Sequence, residues 1–252
     1  MKKHLGQHFL HDPSILRRIV QVAHLSTEDL VVEIGPGPGN LTKMLAETVR
    51  KVIAIELDEK LFGKLESVMA EYENVELIHG DALKYSYENL PEFKVVANIP
   101  YYITTPIIFR LLEIKNLKSM TLTVQKEVAE RIVATPGGKD YGVLSIMLQY
   151  YAKPSLKFII PKETFRPVPK VDSAVINIKI FEKPSVNVKD KELFSRIVKT
   201  AFSQRRKMLS NSLKSISGDV KEWLAETGID PDRRPETLSI EEFAKLANKL
   251  DF

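Results

Sequence analysis

The segment Val31-Val32-Glu33-Ile34-Gly35-Pro36-Gly37-Pro38-Gly39-Asn40 joins a short apolar run to a glycine-rich loop. It predicts a buried strand over residues 31–35 and a helix over residues 41–48 with Asn40 as N-cap. Glycines let such a loop approach a ligand at the helix N-terminus, where free N–H groups favour an anionic group. The dinucleotide fingerprint is G-x-G-x-x-G, whereas this loop is G-x-G-x-G, which disfavours NAD. Packing alone also produces strand–glycine–helix turns.

Polar residues follow three further predicted strands at the point where each strand ends. Glu56 follows residues 52–55, Asp81 follows residues 75–78, and Asn98 follows residues 95–97. Ligands of open α/β sheets bind at the carboxyl ends of the strands, and an acid about 20 residues after the glycine loop is placed to accept from ribose hydroxyls. Each acid alone could be a solvated strand end or a turn residue. Their succession favours a nucleotide site.

The segment Asn98-Ile99-Pro100-Tyr101 places an amide, backbone carbonyls and an aromatic ring at one strand end. Pro100 has no N–H and a fixed φ, so the turn is stiff. Oxygen atoms here could accept both hydrogens of an exocyclic amino group while the tyrosine stacks on the ring. The segment therefore predicts a pocket for adenine N6 or cytosine N4 as a nucleophile. The alternative is a plain strand-end turn with Tyr101 in the core.

Seven stretches along the chain resemble the S-adenosylmethionine-dependent rRNA adenine N6,N6-dimethyltransferases, and within them the bacterial small-subunit (16S) branch. They are Leu5-Gly6-Gln7-His8-Phe9-Leu10, Glu33-Ile34-Gly35-Pro36-Gly37, Ile55-Glu56-Leu57-Asp58, Gly80-Asp81-Ala82-Leu83, Asn98-Ile99-Pro100-Tyr101, Phe165-Arg166-Pro167-Val168-Pro169-Lys170-Val171-Asp172-Ser173-Ala174 and Ala201-Phe202-Ser203-Gln204-Arg205-Arg206-Lys207. The resemblance departs at His8, where the family more often has Asn. It implies an α/β, Rossmann-like class I methyltransferase fold, with a mainly parallel sheet, an antiparallel hairpin and a small all-α C-terminal domain.

The resemblance also implies site residues. The methyl donor S-adenosylmethionine would contact His8, Leu10, Gly35, Glu56, Asp81 and Asn98. The target adenine would be handled by Asn98, Pro100 and Tyr101, with Phe165 on its other face. Phe165 alone would more often be a core aromatic, but its Phe-x-Pro-x-Pro-Lys setting is loop-like. Oxygen acceptors and alignment for in-line displacement would supply the catalysis without a strong general base.

The implied reaction is transfer of methyl groups to N6 of two adjacent adenosines in the 3′-terminal hairpin loop of 16S rRNA, within a small ribosomal subunit or its precursor. No metal is expected. His4, His8 and His11 are close in sequence, but Gly6 and Pro13 disfavour a helix that presents them on one face. The H-E-x-x-H arrangement of a zinc site is also missing.

The sequence predicts a catalytic domain over residues 1–182 and a helical rRNA-recognition domain over residues 183–252, with helices over 193–202, 208–213, 220–226 and 240–250. Residues 183–214 carry 9 Lys/Arg and 2 Asp/Glu, whereas residues 215–252 carry 5 and 9. The basic stripe around Arg205, Arg206 and Lys207 predicts contacts to RNA phosphates. The alternative is a solvated helix face. A second basic group comprises Lys2, Lys3, Arg17 and Arg18.

Composition fits a cytoplasmic RNA enzyme, and the enzyme is expected to be a monomer. The chain has no cysteine, so disulfides are excluded. Its longest uncharged run, residues 95–109, is too short and too interrupted by prolines for a membrane helix. Met1-Lys2-Lys3 is followed by no apolar segment, so no signal peptide is predicted.

Three alternative functions fit the sequence less well. Large-subunit resistance methyltransferases share the Asn98–Tyr101 chemistry, but the glycine loop and the Arg205–Lys207 block favour the small-subunit enzyme. A non-catalytic RNA- or DNA-binding relative is disfavoured by the intact Asn98–Tyr101 segment. A dinucleotide oxidoreductase is disfavoured by the glycine spacing.

Overall fold

The computed structural model describes residues 7–250. Its strands are β1 (Phe9–Leu10), β2 (Leu30–Ile34), β3 (Lys51–Glu56), β4 (Val75–His79), β5 (Phe93–Asn98), β6 (Leu117–Gln125), β7 (Ala152–Ile160), β8 (Phe165–Arg166) and β9 (Ser173–Ile180). Its α-helices are α1 (Pro13–Val22), α2 (Asn40–Ala46), α3 (Glu59–Met69), α4 (Thr104–Leu112), α5 (Lys126–Val133), α6 (Val143–Tyr151), α7 (Lys191–Ser203), α8 (Leu209–Ser212), α9 (Val220–Glu226) and α10 (Ile240–Lys249).

A seven-stranded sheet has the order β4-β3-β2-β5-β6-β9-β7. The strands β2 to β6 pair in parallel, and β9 pairs antiparallel with β6. The predicted α/β class, with a mainly parallel sheet and an antiparallel addition, is confirmed. The chain order reverses between β2 and β5, and this switch point is where open α/β sheets bind ligands. The loop after β2 and the turn after β5 therefore lie side by side at the carboxyl edge.

Local signals account for several helix ends. The Asp12 carboxylate accepts from the Ser14 amide at 2.8 Å and caps α1, whose first residue is Pro13. Ser239 and Glu242 form a capping box at the start of α10. The prediction of Asn40 as N-cap of α2 is wrong, because Gly39 occupies that position. The Asn40 amide instead donates to the Leu10 carbonyl at 3.2 Å and joins the N-terminal segment to the glycine loop.

Two compact units divide the chain differently from the sequence. One comprises residues 1–129 and 154–180, and the other comprises residues 130–153 and 181–252. The sequence assigned residues 130–153 to the first domain, but they pack with the C-terminal helices. Their apolar side chains explain this, because Tyr141, Ile146 and Tyr150 are buried in one cluster with residues such as Phe194 and Phe243. The functional labels of the two domains remain predictions.

The α6 helix was not predicted from the sequence. It begins at Val143, after the loop that contains Gly137 and Gly138, and supplies much of this second core. The first unit has its own core between the sheet and its helices, with Leu16, Leu45, Val96 and Val175 among the buried residues.

Candidate active site at the sheet switch point

Two adjoining cavities lie at the carboxyl edge of the sheet, and four residues line both: Gln7, Gly35, Glu56 and Pro100. The cavity on the β4 side, about 130 Å³, also contacts Asp81, Leu83 and Tyr102. The cavity on the β5 side is narrower, about 30 Å³, and contacts His8, Asn98 and Tyr101. Most residues predicted from the strand tips are thus brought together around one crevice.

Two glycines shape this crevice. Gly35 has φ of 68°, and a Cβ there would lie 3.3 Å from the Pro100 ring. Gly37 has φ of 55°, and its Cβ would lie 2.7 Å from the Phe9 ring. Side chains at these positions would meet both left-handed strain and steric overlap. Glycine is therefore required for the loop after β2 to lie against the neighbouring turn and the N-terminal segment.

Glu56 is a buried carboxylate between the two cavities. Its Oε2 accepts from the Gly37 amide at 3.1 Å, and its Oε1 accepts from the Asp58 amide at 2.9 Å. Burial raises its pKa, while hydrogen bonds from these amides partly offset that increase. A carboxylate oxygen has two lone pairs, so each keeps acceptor capacity for a ligand hydroxyl. This arrangement suits the two hydroxyls of a ribose that spans both cavities.

Asp81 lies at the wider cavity, as predicted. Its Oδ1 accepts from the Leu83 amide at 2.9 Å, so it is also a turn residue. Tyr102, which the sequence analysis left without a role, lines the same cavity and is exposed. Burial of part of its ring and the charges of Asp81 and Glu56 raise the pKa of Tyr102. In the sequence, a role for Tyr102 could have been inferred from its position directly after Tyr101.

Asn98 is held by the N-terminal segment. Its Nδ2 donates to the His8 carbonyl at 3.0 Å, which leaves Oδ1 as the acceptor of that amide. His8 Nδ1 lies 2.7 Å from the Pro167 carbonyl, and because a carbonyl only accepts, Nδ1 carries the proton. The His8 ring is also 5.5 Å from the Tyr101 ring. His8 therefore connects the Asn98 turn to the loop after β8.

The Pro100 carbonyl is already hydrogen-bonded, so it is not among the oxygen atoms of this segment that are free to accept an amino group. It accepts from the Ile103 amide at 3.1 Å and from the Thr104 hydroxyl at 3.5 Å. The reason is the short 3₁₀ helix over Tyr101–Ile103 that starts at this proline. Pro100 contacts both cavities through its ring, and the neighbouring Ile99 carbonyl is the better second acceptor beside Asn98.

The Tyr101 ring is fixed in place at the narrower cavity. Its hydroxyl lies 2.7 Å from Ser173 Oγ, at the start of β9. Burial raises the pKa of Tyr101, the Ser173 hydrogen bond lowers it, and the charge of Asp172 raises it. Tyr101 is therefore a neutral aromatic platform whose hydroxyl end is anchored by Ser173. Ser173 is a positioning residue that the sequence analysis did not single out.

Phe165 lines neither cavity, which differs from the expectation for it, whereas Leu10 lines a third small cavity together with Gly35 and Asn98. Leu10 pairs with Phe165 where β1 meets β8, and Phe165 is 0% exposed. Both side chains pack in the first core, near Leu16 and Val175. The alternation along β8 turns Phe165 inward and Arg166 outward. Because the Phe165 ring is buried, this arrangement does not support a role for it in stacking on a bound base.

Glu33 is a second buried carboxyl that the sequence analysis assigned no role. It is 2% exposed within β2, and its Oε2 has no hydrogen-bond partner among the described residues. Burial raises the pKa of Glu33 to about 8, and the charge of Glu56 contributes to this increase. The nearby Thr42 hydroxyl lowers that pKa, although its Oγ1 has no hydrogen-bond partner among the described residues. In the sequence, a charged residue inside an apolar strand could have indicated this buried carboxyl group.

The three predicted RNA-binding residues lie in the second unit and differ from one another. Arg205 Nη2 donates to the Gly138 carbonyl at 3.2 Å, and its Nε lies 4.0 Å from Glu236 Oε2. Arg206 and Lys207 are exposed in the turn after α7. Lys2 and Lys3 lie outside the described residues, whereas Arg17 and Arg18 are exposed on α1. Only part of the predicted stripe is therefore free to meet a ligand.

Over residues 7–250, no helix has the length and apolar character needed to span a bilayer. Over the same residues, no group of three or more His, Asp or Glu side chains is arranged to hold a metal ion. His4, part of the histidine group considered in the sequence, lies outside these residues.

Known proteins resemble this chain along its length. A model of the ribosomal RNA adenine dimethylase family matches residues 1–251. A ribosomal RNA small subunit methyltransferase A from Caldanaerobacter subterraneus subsp. tengcongensis is 48% identical, over 99% of this chain and 97% of the relative. A dimethyladenosine transferase from Plasmodium falciparum has a TM-score of 0.81 at 29% identity, covering 95% of this chain and 96% of that one. The 23S rRNA methyltransferase ErmE has a TM-score of 0.76 at 28% identity, covering 97% and 100%.

Proposed function

Because the chain belongs to the ribosomal RNA adenine dimethylase family, we propose that it methylates N6 of two adjacent adenosines in the 3′-terminal hairpin loop of 16S rRNA. Family membership makes it an S-adenosylmethionine-dependent rRNA adenine dimethyltransferase. The position in the hairpin, and the small subunit or its precursor as the particle bound, belong to the proposal. We also propose that the enzyme acts as a cytoplasmic monomer.

The crevice fits the methyl donor. Glu56 would accept from both ribose hydroxyls, because its two oxygens lie where the two cavities meet. Asp81 would accept from the adenine amino group in the wider cavity, beside Tyr102. The Gly35–Gly37 loop lines the crevice with backbone alone, because a Cβ at either glycine would meet the Pro100 or Phe9 ring. When bound, the donor supplies an electrophilic methyl group, and this placement directs the methionine end toward Asn98.

The target adenine would be held by oxygen acceptors. Asn98 Oδ1 and the Ile99 carbonyl would accept the two amino hydrogens, and His8 fixes the amide in the orientation that permits this. The lone pair of an aromatic amine is delocalised into its ring, and two acceptors favour a more pyramidal nitrogen. A base is not needed in this step, since the nitrogen becomes acidic only after it gains the methyl group. After one transfer a single N–H remains, so one acceptor loses its partner.

Tyr101 supplies the stacking surface, worth about 1–3 kcal/mol per base. The gap to His8 is too small for a base, because ring centroids 5.5 Å apart leave no room for a third ring between them. The base would therefore stack on the face of Tyr101 away from His8. With Phe165 buried in the core, the second face of the base would be left to the RNA or to a rearranged loop.

Small-subunit rRNA is favoured over large-subunit rRNA by two observations. The relative named for the small subunit is 48% identical, whereas the 23S enzyme ErmE is 28% identical. The exposed cations Arg206 and Lys207 belong to the block that distinguished the two in the sequence. Contacts of this kind position the RNA without specifying its sequence. Loop adenosines are accessible because their bases leave the stack readily.

One observation carries the proposal: Asn98, Tyr101, Glu56 and the glycine loop converge on one crevice at the switch point between β2 and β5. An amine-binding turn and a ribose-binding carboxylate around adjoining cavities suit methyl transfer between two nucleotides. A dinucleotide oxidoreductase would not require the amine-binding turn.

The test uses small subunits from a strain that lacks the gene. Purified enzyme and S-adenosylmethionine should convert two adjacent adenosines, located by mass spectrometry of rRNA fragments, to N6,N6-dimethyladenosine. Asn98→Ala should reduce single-turnover transfer at saturating donor by about 10²–10³-fold, as for loss of one preorganised polar contact. Asn89→Ala, an exposed asparagine of the same unit, is the matched control. Transfer by Asn98→Ala at near the wild-type rate would show that the amine is not held as proposed.

A further inference from the structure

The third small cavity brings the buried carboxyl of Glu33 next to the crevice. Its volume is about 30 Å³, and Glu33, Gly35 and Asn98 are among the residues that line it. Gly35 also lines both cavities of the crevice, and Asn98 also lines the narrower one. A space of this size has room for about one water molecule. Glu33 therefore borders the methyl-transfer site without lining it.

The register of the sheet explains why Glu33 lies on this side. Val32 of β2 pairs with Val95 of β5, and successive side chains of a strand alternate between the two faces of a sheet. Glu33 and Asn98 lie an odd number of residues beyond this pair, so both belong to the opposite face. Gly35 adds no side chain between Glu33 and the crevice, and two residues of a strand span about 7 Å.

No cation neutralises Glu33 among residues 7–250. The charge that acts on this carboxyl is that of Glu56, which raises its pKa, and the hydroxyl of Thr42 lowers it. Every other described residue that lines the cavity is uncharged. Outside the cavity, the His11 ring lies 3.0 Å from the Asn40 amide and is exposed. A positive charge in the crevice would thus be the first to compensate Glu33.

The methyl donor and its product differ in charge at one atom. S-adenosylmethionine has a positively charged sulfonium, whereas S-adenosylhomocysteine has a neutral sulfur, and their ribose, amino and carboxyl groups are the same. The sulfur is bonded to the transferred methyl group and to the carbon chain of the ribose. With the ribose at Glu56 and the target amine at Asn98, the sulfur belongs in the narrower cavity, which both residues line together with Gly35.

We propose that Glu33 is a specificity residue that distinguishes the charged donor from its neutral product, because it loses its proton when S-adenosylmethionine binds and regains one after methyl transfer. In the transfer, the N6–CH₃ bond forms as the S–CH₃ bond breaks, and the sulfur keeps the electron pair. The amine then loses one N–H proton, so the reaction releases the proton that Glu33 takes up. This inference rests on the proposed function and deepens its donor site.

The size of the effect follows from Coulomb's law. A unit charge about 7–10 Å from an ionised carboxylate, at an effective dielectric constant of about 20, strengthens binding by about 15- to 60-fold. The pKa of Glu33 is about 8 before the donor binds. A bound cation lowers this pKa, so the affinity for S-adenosylmethionine relative to S-adenosylhomocysteine should rise by about 10- to 30-fold from pH 6 to pH 8.5.

Calorimetry with each ligand, at several pH values from 6 to 8.5, measures this affinity ratio. The ratio should be independent of pH in Glu33→Gln, and Glu33→Asp should restore its pH dependence because it restores a titrating carboxyl. Glu66→Gln, on the exposed surface of α3, is the matched control and should follow the wild type. Because the amino group and the ribose contact of Glu56 are common to both ligands, their titration largely cancels in the ratio.

A second measurement needs the wild-type enzyme alone. Calorimetry in two buffers with different ionisation enthalpies counts the protons exchanged on binding. At about pH 7.4, S-adenosylmethionine should release about 0.5–0.7 proton more than S-adenosylhomocysteine. Equal proton release by the two ligands would overturn the inference, even if Glu33→Gln failed to fold.

The outcomes separate this inference from the proposed function. An affinity ratio that is constant with pH in the wild type would overturn the role of Glu33. The same rise in Glu33→Gln as in the wild type would also overturn it and would assign the proton to Glu56 or to a histidine. Both results leave the proposed function standing, because the donor still binds. A wild-type enzyme that binds S-adenosylmethionine at no pH would instead contradict the proposed function itself.

Discussion

Replacing Glu33 by glutamine should make the protein more stable at alkaline pH. Glu33 lies within β2, is 2% exposed, and has one oxygen without a partner. Burial, with a smaller contribution from the charge of Glu56, raises the pKa of Glu33 to about 8. Glu33→Gln keeps the shape of the neutral acid and removes its titration, so the pH dependence of stability due to this group should vanish.

The magnitude follows from linkage between protonation and folding. The Glu33 carboxyl has a pKa of 4.5 in its ordinary environment and about 8 when folded. Between these pH values only the folded state holds the proton, so stability falls as pH rises, by about 1.4 kcal/mol per pH unit. The loss of stability begins above pH 4.5, the lower of the two pKa values, and stops above about pH 8, the higher one. From pH 6 to pH 9 the wild type should lose about 3 kcal/mol more than Glu33→Gln.

Urea unfolding followed by circular dichroism, at several values between pH 6 and pH 9, measures this difference. Two transitions should be fitted if the two compact units unfold separately. Glu66→Gln makes the same chemical change on the exposed surface of α3 and should follow the wild type at every pH. Equal pH slopes for the wild type and Glu33→Gln would mean that Glu33 is ionised in the folded protein, and the burial argument would be refuted.

Three further substitutions test the crevice. Glu56→Ala should weaken S-adenosylmethionine binding by about 1–3 kcal/mol, as for a charged hydrogen bond, and calorimetry that finds unchanged affinity would exclude the ribose contact. Tyr101→Phe keeps the ring but loses the 2.7 Å contact to Ser173, so single-turnover transfer should fall far less than in Tyr101→Ala. Equal losses in both variants would argue against stacking. Gly37→Ala forces a Cβ to within 2.7 Å of Phe9 at a positive φ and should lower both the melting temperature and donor affinity. A variant with wild-type values of both would show that the loop has room to move.

The sequence by itself determined the features that depend on local pattern. The apolar runs predicted the parallel strands, because buried strands read as continuous hydrophobic segments. Polar residues at successive strand ends predicted a crevice, because the carboxyl ends of parallel strands share one edge. Caps such as Asp12 and Ser239 are local features, because their hydrogen bonds join residues two or three apart. Glu56, Asp81 and Asn98 therefore needed no knowledge of long-range packing to be proposed.

Tertiary structure alone decided the features that depend on contacts between distant segments. Phe165 is in the core because β8 pairs with β1. In this pairing Phe165 lies opposite Leu10, which is 155 residues earlier in the chain. Arg205 is not free because it contacts two segments that are distant in sequence. It donates to the Gly138 carbonyl, which precedes it in the chain, and it faces the Glu236 carboxylate, which follows it. The side of a two-residue strand that faces the core, and the partner of an arginine in a charged run, are set by which surfaces pack together. Local sequence spacing does not encode which surfaces pack together. The sequence pattern around these residues is therefore the same whether they bind a ligand or stabilise the fold.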